Sequence, residues 1–199
     1  MTWPNRITYS RIVLIPLFAV AALEVRSHEA YKYVAVGIFC AIAVGDLLDG
    51  YVAKRFKLTS LEGKFIDPLA DKLLMITACV FLALPLWGMK AGGAPLAPEI
   101  AVVIVARDVL ICMWVVVGYL AGARIAYEAS RLGRLTTFFQ MLMLGTMLGG
   151  TLSQGLYTFA ARPLSYVAAG FTIASGLHYF FKYAKYINLR GAGGGQGGG

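Results

Sequence analysis

Thiol and imidazole chemistry are almost absent from this chain. Its three cysteines, Cys40, Cys79 and Cys112, each lie inside an apolar run, and none belongs to a CxxC pair. That excludes a disulfide framework and leaves buried, reduced thiols as the expectation. The two histidines, His28 and His178, have no metal-ligand partner at helical spacing, so an interfacial place suits both better than an imidazole metal site. Charge is equally thin: 14% of residues are charged and ten are acidic, against 59% hydrophobic, with a mean hydropathy of +0.70. A soluble domain carries about 25% charged residues, so these proportions describe an integral membrane protein. The net charge of +8 raises nucleic acid as a partner. However, the basic residues punctuate apolar runs rather than forming an exposed array, which suits anionic lipid headgroups and no nucleic acid.

What the chain does have is apolar length. Runs at roughly 33–51, 65–87, 98–121, 135–153 and 164–183 each come near the ~20 residues a helix needs to cross the hydrocarbon core. With the shorter run at 12–23 they predict an all-α, polytopic membrane protein of six transmembrane helices. Residues 1–10 (MTWPNRITYS) read as a short N-terminal interfacial segment, with Trp3 and Tyr9 as belt residues. The 12–23 run also has the form of a signal-peptide core, Ala19-Val20-Ala21 imitating a cleavage site. The stretches 88–95 and 153–163 are turn-like. No internal repeat is visible, so residues 1–190 form one membrane domain and the glycine-rich 191–199 a flexible tail. Twelve Lys and Arg fall on the N-terminus, the 54–64 and 122–134 loops and the C-terminal end, against four on the opposite loops. This asymmetry places both termini and the 54–64 loop in the cytoplasm.

Five of the ten acidic residues fall between Asp46 and Asp71. Asp46 and Asp49 are three apart, and Asp67 and Asp71 four apart, so each pair shares one face of a helix. Both pairs adjoin long apolar segments, where carboxylates are costly and usually functional. Four neighbouring carboxylates repel one another, which raises their pKa values or draws in cations. Two hard divalent ions, Mg²⁺, Mn²⁺ or Ca²⁺, would balance the charge through oxygen ligands. The plainer alternative makes the aspartates helix caps, Asp67 preceding Pro68 in a first turn. Asp46 and Asp49 resist it, because they close an apolar run at its C-terminal end, where the helix dipole disfavours anions.

The spacing carries a resemblance. Asp46, Asp49, Gly50, Ala53, Lys54, Gly63, Asp67 and Asp71 are similar to the D-x2-D-G-x2-A-R-x8-G-x3-D-x3-D pattern of the CDP-alcohol phosphotransferase family, eight positions over 26 residues. Lys54 alone departs, standing where the pattern has Arg. The resemblance implies that Asp46, Asp49, Asp67 and Asp71 hold two divalent cations, Mg²⁺ or Mn²⁺, and that Asp71 also serves as the base. Asp46, Asp49, Gly50, Ala53, Lys54, Gly63 and Asp67 would then bind the CDP moiety, Gly50 and Gly63 letting the nucleotide lie close to the backbone. Lys54 would supply a point charge without the guanidinium fork, and so a looser grip. Ordinary small-residue helix packing is the plain alternative for the glycines. The family also implies a homodimer in a bacterial inner membrane.

A second constellation lies downstream. Arg107 and Asp108 sit inside the fourth run, where a cation needs a polar cavity or a partner, whether Asp108 itself or a group across helices. SRLGRLTTFFQ (130–140) resembles the S-x2-G-K-x-K-T-x2-Q segment of the phosphatidylglycerophosphate synthase branch, with Arg134 and Thr136 in place of the two lysines. By that resemblance Arg107, Arg134 and Thr137 bind the acceptor's phosphate, for which arginine offers two parallel bonds. The opening PN-x2-T-x2-R points to the same branch. It implies transfer of the phosphatidyl group of CDP-diacylglycerol to sn-glycerol 3-phosphate, releasing CMP. ARDVLI instead resembles the CMP-forming cardiolipin synthase branch, whose acceptor is phosphatidylglycerol. A cation transporter using the four carboxylates as an ion path is the remaining alternative; it leaves the glycine positions unexplained.

Overall fold

The apolar runs fold as helices. A computed structural model describes residues 3–56, 63–88, 94–120 and 131–193, with side chains described for 13–45, 72–88, 94–113 and 132–179. The long helices are α1 (Trp3–Glu24), α2 (Tyr31–Phe56), α3 (Gly63–Leu82), α4 (Pro98–Leu120) and α5 (Arg131–Leu152). A short α6 (Gln154–Leu156) and a π-helical turn (Tyr157–Ala161) then lead into α7 (Arg162–Gly193). No strand occurs among the described residues, so the all-α expectation holds.

Two local expectations are revised. The N-terminal segment is not a separate element, because the backbone is helical from Trp3 onward. Pro4 falls in the first turn of α1, where a missing N–H costs nothing. The 153–163 stretch, expected as a turn, is mostly helical. Pro163 cannot donate in the first turn of α7, so the hydrogen-bond pattern must shift just before it, and a widened π turn absorbs such a shift.

In the interior, α1 lies against α2 and α3, α5 against α2, α3 and α7, and α4 against α3 and α7. Phe18 of α1 is fully buried. Its ring stands 6.3 Å from Phe39 of α2 and 6.4 Å, edge-on, from Phe81 of α3, separations at which aromatic pairs attract. Leu74, Ala78 and Leu82 of α3 share the same buried cluster with Met143, Leu144, Met147 and Leu148 of α5. The α3–α4 connection is pinned by polar groups: Trp87 Nε1 donates to the Phe81 carbonyl at 2.8 Å and Leu96 N to the Leu82 carbonyl at 3.0 Å. Gly88 has φ +59°, the left-handed region that favours glycine. Between α1 and α2, Lys32 Nζ donates to Glu29 Oε1 at 2.7 Å and holds the Glu29 carboxyl below its ordinary pKa.

Among the described residues, large apolar side chains also lie on the outside. Val13, Leu17 and Val20 of α1, Val102 and Met113 of α4, and Leu135, Phe138 and Leu142 of α5 are all exposed. A surface so rich in large apolar side chains matches hydrocarbon better than water. Among the described residues Leu132–Leu152 is long and apolar enough to cross a membrane, while Val13–Glu24, Tyr31–Gly45 and Lys72–Leu82 are shorter apolar helices.

At the end of α5 the backbones approach closely. A Cβ on Gly150 would lie 3.1 Å from Tyr157 Cα, and the Tyr157 hydroxyl donates to the Pro95 carbonyl at 3.1 Å. Gly150→Val therefore overpacks a rigid backbone contact and is expected to cost about 1–3 kcal/mol. Gly170→Ala, with nothing within 4 Å, should stay within about 0.5 kcal/mol. Thermal melts in detergent check both, and equal melting temperatures would remove the close-packing account.

Candidate active site

The four aspartates of the motif sit on consecutive helices, Asp46 and Asp49 on α2 and Asp67 and Asp71 on α3. The helix bounds decide against the capping alternative. The first turn of α3 contains no acidic residue; Asp67 is its fifth residue, because the helix starts at Gly63 rather than at Pro68. Asp46 and Asp49 are interior to α2, which continues to Phe56. None of the four can therefore serve as a helix-end cap. Their side chains, with those of Ala53 and Lys54, lie outside the described ones, and Gly50 and Gly63 are placed only as helix positions. Among the described residues no group of three or more His, Cys, Asp or Glu is placed to hold a metal. As a donor set, four carboxylates in two helix-face pairs suit hard divalent ions, which prefer oxygen.

Immediately after Asp71 the side chains are described, and they form a buried polar network. Lys72 Nζ of α3 donates to Asp108 Oδ1 of α4 at 2.9 Å. Arg107 donates through one terminal nitrogen to the same oxygen at 2.7 Å. Its other terminal nitrogen donates to Ser175 Oγ of α7 at 2.8 Å, and its guanidinium carbon lies 5.9 Å from the Tyr179 ring centroid. Asp108 is fully buried and Arg107 is 7% exposed. Asp108 Oδ2 and Arg107 Nε, both buried, have no hydrogen-bond partner. One carboxylate thus faces two cations beneath an apolar exterior, a cost borne only where paired charges are held in place.

The same face of α7 continues the network toward α5. Gln140 Nε2 donates to Thr172 Oγ1 at 3.1 Å, and Thr136 Oγ1 reaches the Leu132 and Phe171 carbonyls at 2.8 and 3.2 Å. Gln140 Oε1 is buried without a partner. Phe139 and Phe171 stack at 4.6 Å between centroids.

Of the three residues assigned to the acceptor's phosphate, Arg107 is buried in the α3–α4–α7 network. Arg134 is exposed on α5, and the Thr137 hydroxyl donates back to the Gly133 carbonyl at 3.2 Å. The described contacts do not join Arg107 to the other two. Both plain alternatives for Arg107 are realised together, since it pairs with Asp108 and also bonds across helices to Ser175. Lys72 and Ser175 are the residues that sequence reasoning passed over. Lys72 had a signal, a cation inside an apolar segment directly after an aspartate; Ser175 had none.

The CDP-alcohol phosphatidyltransferase family model matches residues 1–174. The chain belongs to that family. Its relatives include a protein of Bacillus subtilis named CDP-diacylglycerol–glycerol-3-phosphate 3-phosphatidyltransferase, 33% identical over 191 residues, covering 90% of this chain and 93% of that protein. A Rickettsia felis protein of the same name is 31% identical over 186 residues, covering 92% and 96%. A Schizosaccharomyces pombe protein named as a fusion of CMP-forming cardiolipin synthase and a mitochondrial hydrolase is 30% identical over 205 residues, 94% of this chain but 32% of that protein. As a CDP-alcohol phosphatidyltransferase the chain is a transferase, and the ion-path alternative gives way to it.

Proposed function

We propose that this enzyme transfers the phosphatidyl group of CDP-diacylglycerol to sn-glycerol 3-phosphate, forming phosphatidylglycerophosphate and CMP. One observation carries the reading: near-full-length similarity to proteins named for that reaction, in a chain whose aspartate motif falls on two consecutive helices.

In this reading Asp46, Asp49, Asp67 and Asp71 hold two divalent cations, Mg²⁺ or Mn²⁺. When bound, these ions neutralise the diphosphate oxygens and the departing phosphate. The nucleotide lies along α2 and the start of α3, where Gly50, Ala53 and Gly63 present little side chain and Lys54 faces the diphosphate. Asp71 takes the proton from the acceptor's hydroxyl. The hydroxyl oxygen bonds to the lipid-side phosphorus as that phosphorus releases its oxygen to CMP. Arg107, Arg134 and Thr137 receive the acceptor's own phosphate, which requires Arg107 to turn unused donor capacity, such as Nε, toward it.

The enzyme would cross the membrane six times with its active site and both termini in the cytoplasm, as a homodimer. The exposed apolar side chains of α1, α4 and α5 and the positive-inside asymmetry support the membrane part of this reading. Residues 1–190 would form the catalytic membrane domain.

The acceptor is decided by product analysis. Purified protein with labelled CDP-diacylglycerol and a divalent metal is offered sn-glycerol 3-phosphate or phosphatidylglycerol, and the lipids are separated by thin-layer chromatography. Phosphatidylglycerophosphate is expected with the first acceptor and no cardiolipin with the second. Cardiolipin from phosphatidylglycerol alone would transfer the assignment to the other branch, which the S. pombe relative and the ARDVLI stretch favour.

A further inference from the structure

Gln140 of α5 is fully buried, and its neighbours fix which way round the amide sits. Nε2 lies 3.1 Å from Thr172 Oγ1 of α7. That hydroxyl spends its one hydrogen on the Ala168 carbonyl at 2.7 Å, so toward Gln140 it can only accept. The NH₂ end must therefore face Thr172, because the flipped amide would set two acceptors against each other. Oε1 is left buried without a partner among the described residues. Thr136, one turn earlier on α5, offers it nothing, since its hydroxyl is committed to the Leu132 and Phe171 carbonyls. A buried acceptor held in one orientation without a donor is costly to keep and calls for a partner from outside the chain.

The polar face of α7 supplies the context. Thr172 and Ser175 are three apart and share that face; the first holds Gln140 and the second holds Arg107, at 2.8 Å. The amide and the guanidinium are thus anchored about one turn, ~5 Å, apart along α7. Each has an unused buried atom, an acceptor on Gln140 and the Nε donor on Arg107. A donor for an anion beside an acceptor for a hydroxyl is the complement of a polyol phosphate. In sn-glycerol 3-phosphate the carbon next to the phosphate-bearing one carries a hydroxyl that does not react.

We propose that Gln140 is a specificity-determining residue: its Oε1 accepts from the acceptor's non-reacting hydroxyl, while Arg107 meets the phosphate. The inference rests on the acceptor reading given above and on the part of Arg107 in it. When Arg107 turns to the phosphate it releases Ser175, which opens the α5–α7 seam one turn from Thr172 and admits the glycerol. The headgroup of phosphatidylglycerol has the same phosphate and spare hydroxyl, so the recognition chemistry is common to both candidate acceptors.

The test compares acceptors that differ only in that hydroxyl: sn-glycerol 3-phosphate against 3-hydroxypropyl phosphate, and phosphatidylglycerol against the phosphatidyl form of 1,3-propanediol. Purified protein receives CDP-diacylglycerol and Mn²⁺, and kcat/KM is read from CMP release. The protein is expected to favour the glycerol member of the pair it uses by about tenfold to a hundredfold, because a site built to bond a hydroxyl rejects the analogue lacking it. Gln140→Met keeps the side-chain length without the acceptor, so the preference should fall to within about threefold of parity. A glutamine with a structural task alone would lower both rates together and leave their ratio unchanged. Two results overturn the inference: an unmodified protein indifferent to the hydroxyl, which needs no variant to fold, or a Gln140→Met protein that keeps the preference. Turnover of the phosphatidyl pair alone would instead overturn the glycerol 3-phosphate reading, and the ratio within that pair then decides the inference.

Discussion

Asp71→Asn is expected to lower CMP release by about a thousandfold or more, the range lost when a positioned general base is removed. Asparagine keeps nearly the same shape and an oxygen that can still face a metal, but it cannot accept a proton. Asp46→Asn removes a charge from the same proposed cluster without removing the base. The two variants should therefore part company when metal is raised: excess Mn²⁺ restores much of the Asp46→Asn rate by mass action and none of the Asp71→Asn rate. CMP release across a metal titration reads the difference. Equal rescue of both variants would make Asp71 a ligand only and move the base elsewhere. The helix bounds sharpen this test, because Asp71 is interior to α3 and its replacement disturbs no cap.

The aspartate motif was legible because its information is local. Intervals of three and four residues fix helix faces, and an apolar flank fixes the expense of charge, so α2 and α3 could be placed before their bounds were known. The same apolar contrast located α4, α5 and α7 to within a few residues at most of their ends. Legibility failed where the signal is a pairing across the fold. Lys72 is separated from Asp108 by 36 positions and Arg107 from Ser175 by 68, and nothing in either neighbourhood names its partner. Sequence could say only that Arg107 and Asp108 needed company. The π turn at Tyr157–Ala161 was hidden for a different reason. Gln154, Gly155 and Pro163 read as loop formers, yet proline in the first turn of a helix is a start signal, and the turn-like reading gave that too little weight.

Arg107→Gln should show two separable losses, because the side chain has a structural and a proposed binding task. Structurally, the change takes a 2.7 Å partner from buried Asp108 and a 2.8 Å donor from Ser175. Breaking a buried ion pair costs about 3–5 kcal/mol, but Lys72 remains on the same carboxylate oxygen, so a loss of about 2–3 kcal/mol is expected, read by a thermal melt in detergent. Arg107→Lys keeps a charge near Asp108 but cannot hold Asp108 and Ser175 together and then offer a third N–H to a phosphate. Its melting temperature should fall only slightly, while KM for sn-glycerol 3-phosphate rises at least about tenfold and KM for CDP-diacylglycerol holds steady. That split separates recognition from scaffolding. If Arg107→Lys melts lower yet keeps its KM for the acceptor, Arg107 is the anchor of Asp108 and nothing more. The acceptor's phosphate must then be met by the exposed Arg134 and by other groups at the start of α5.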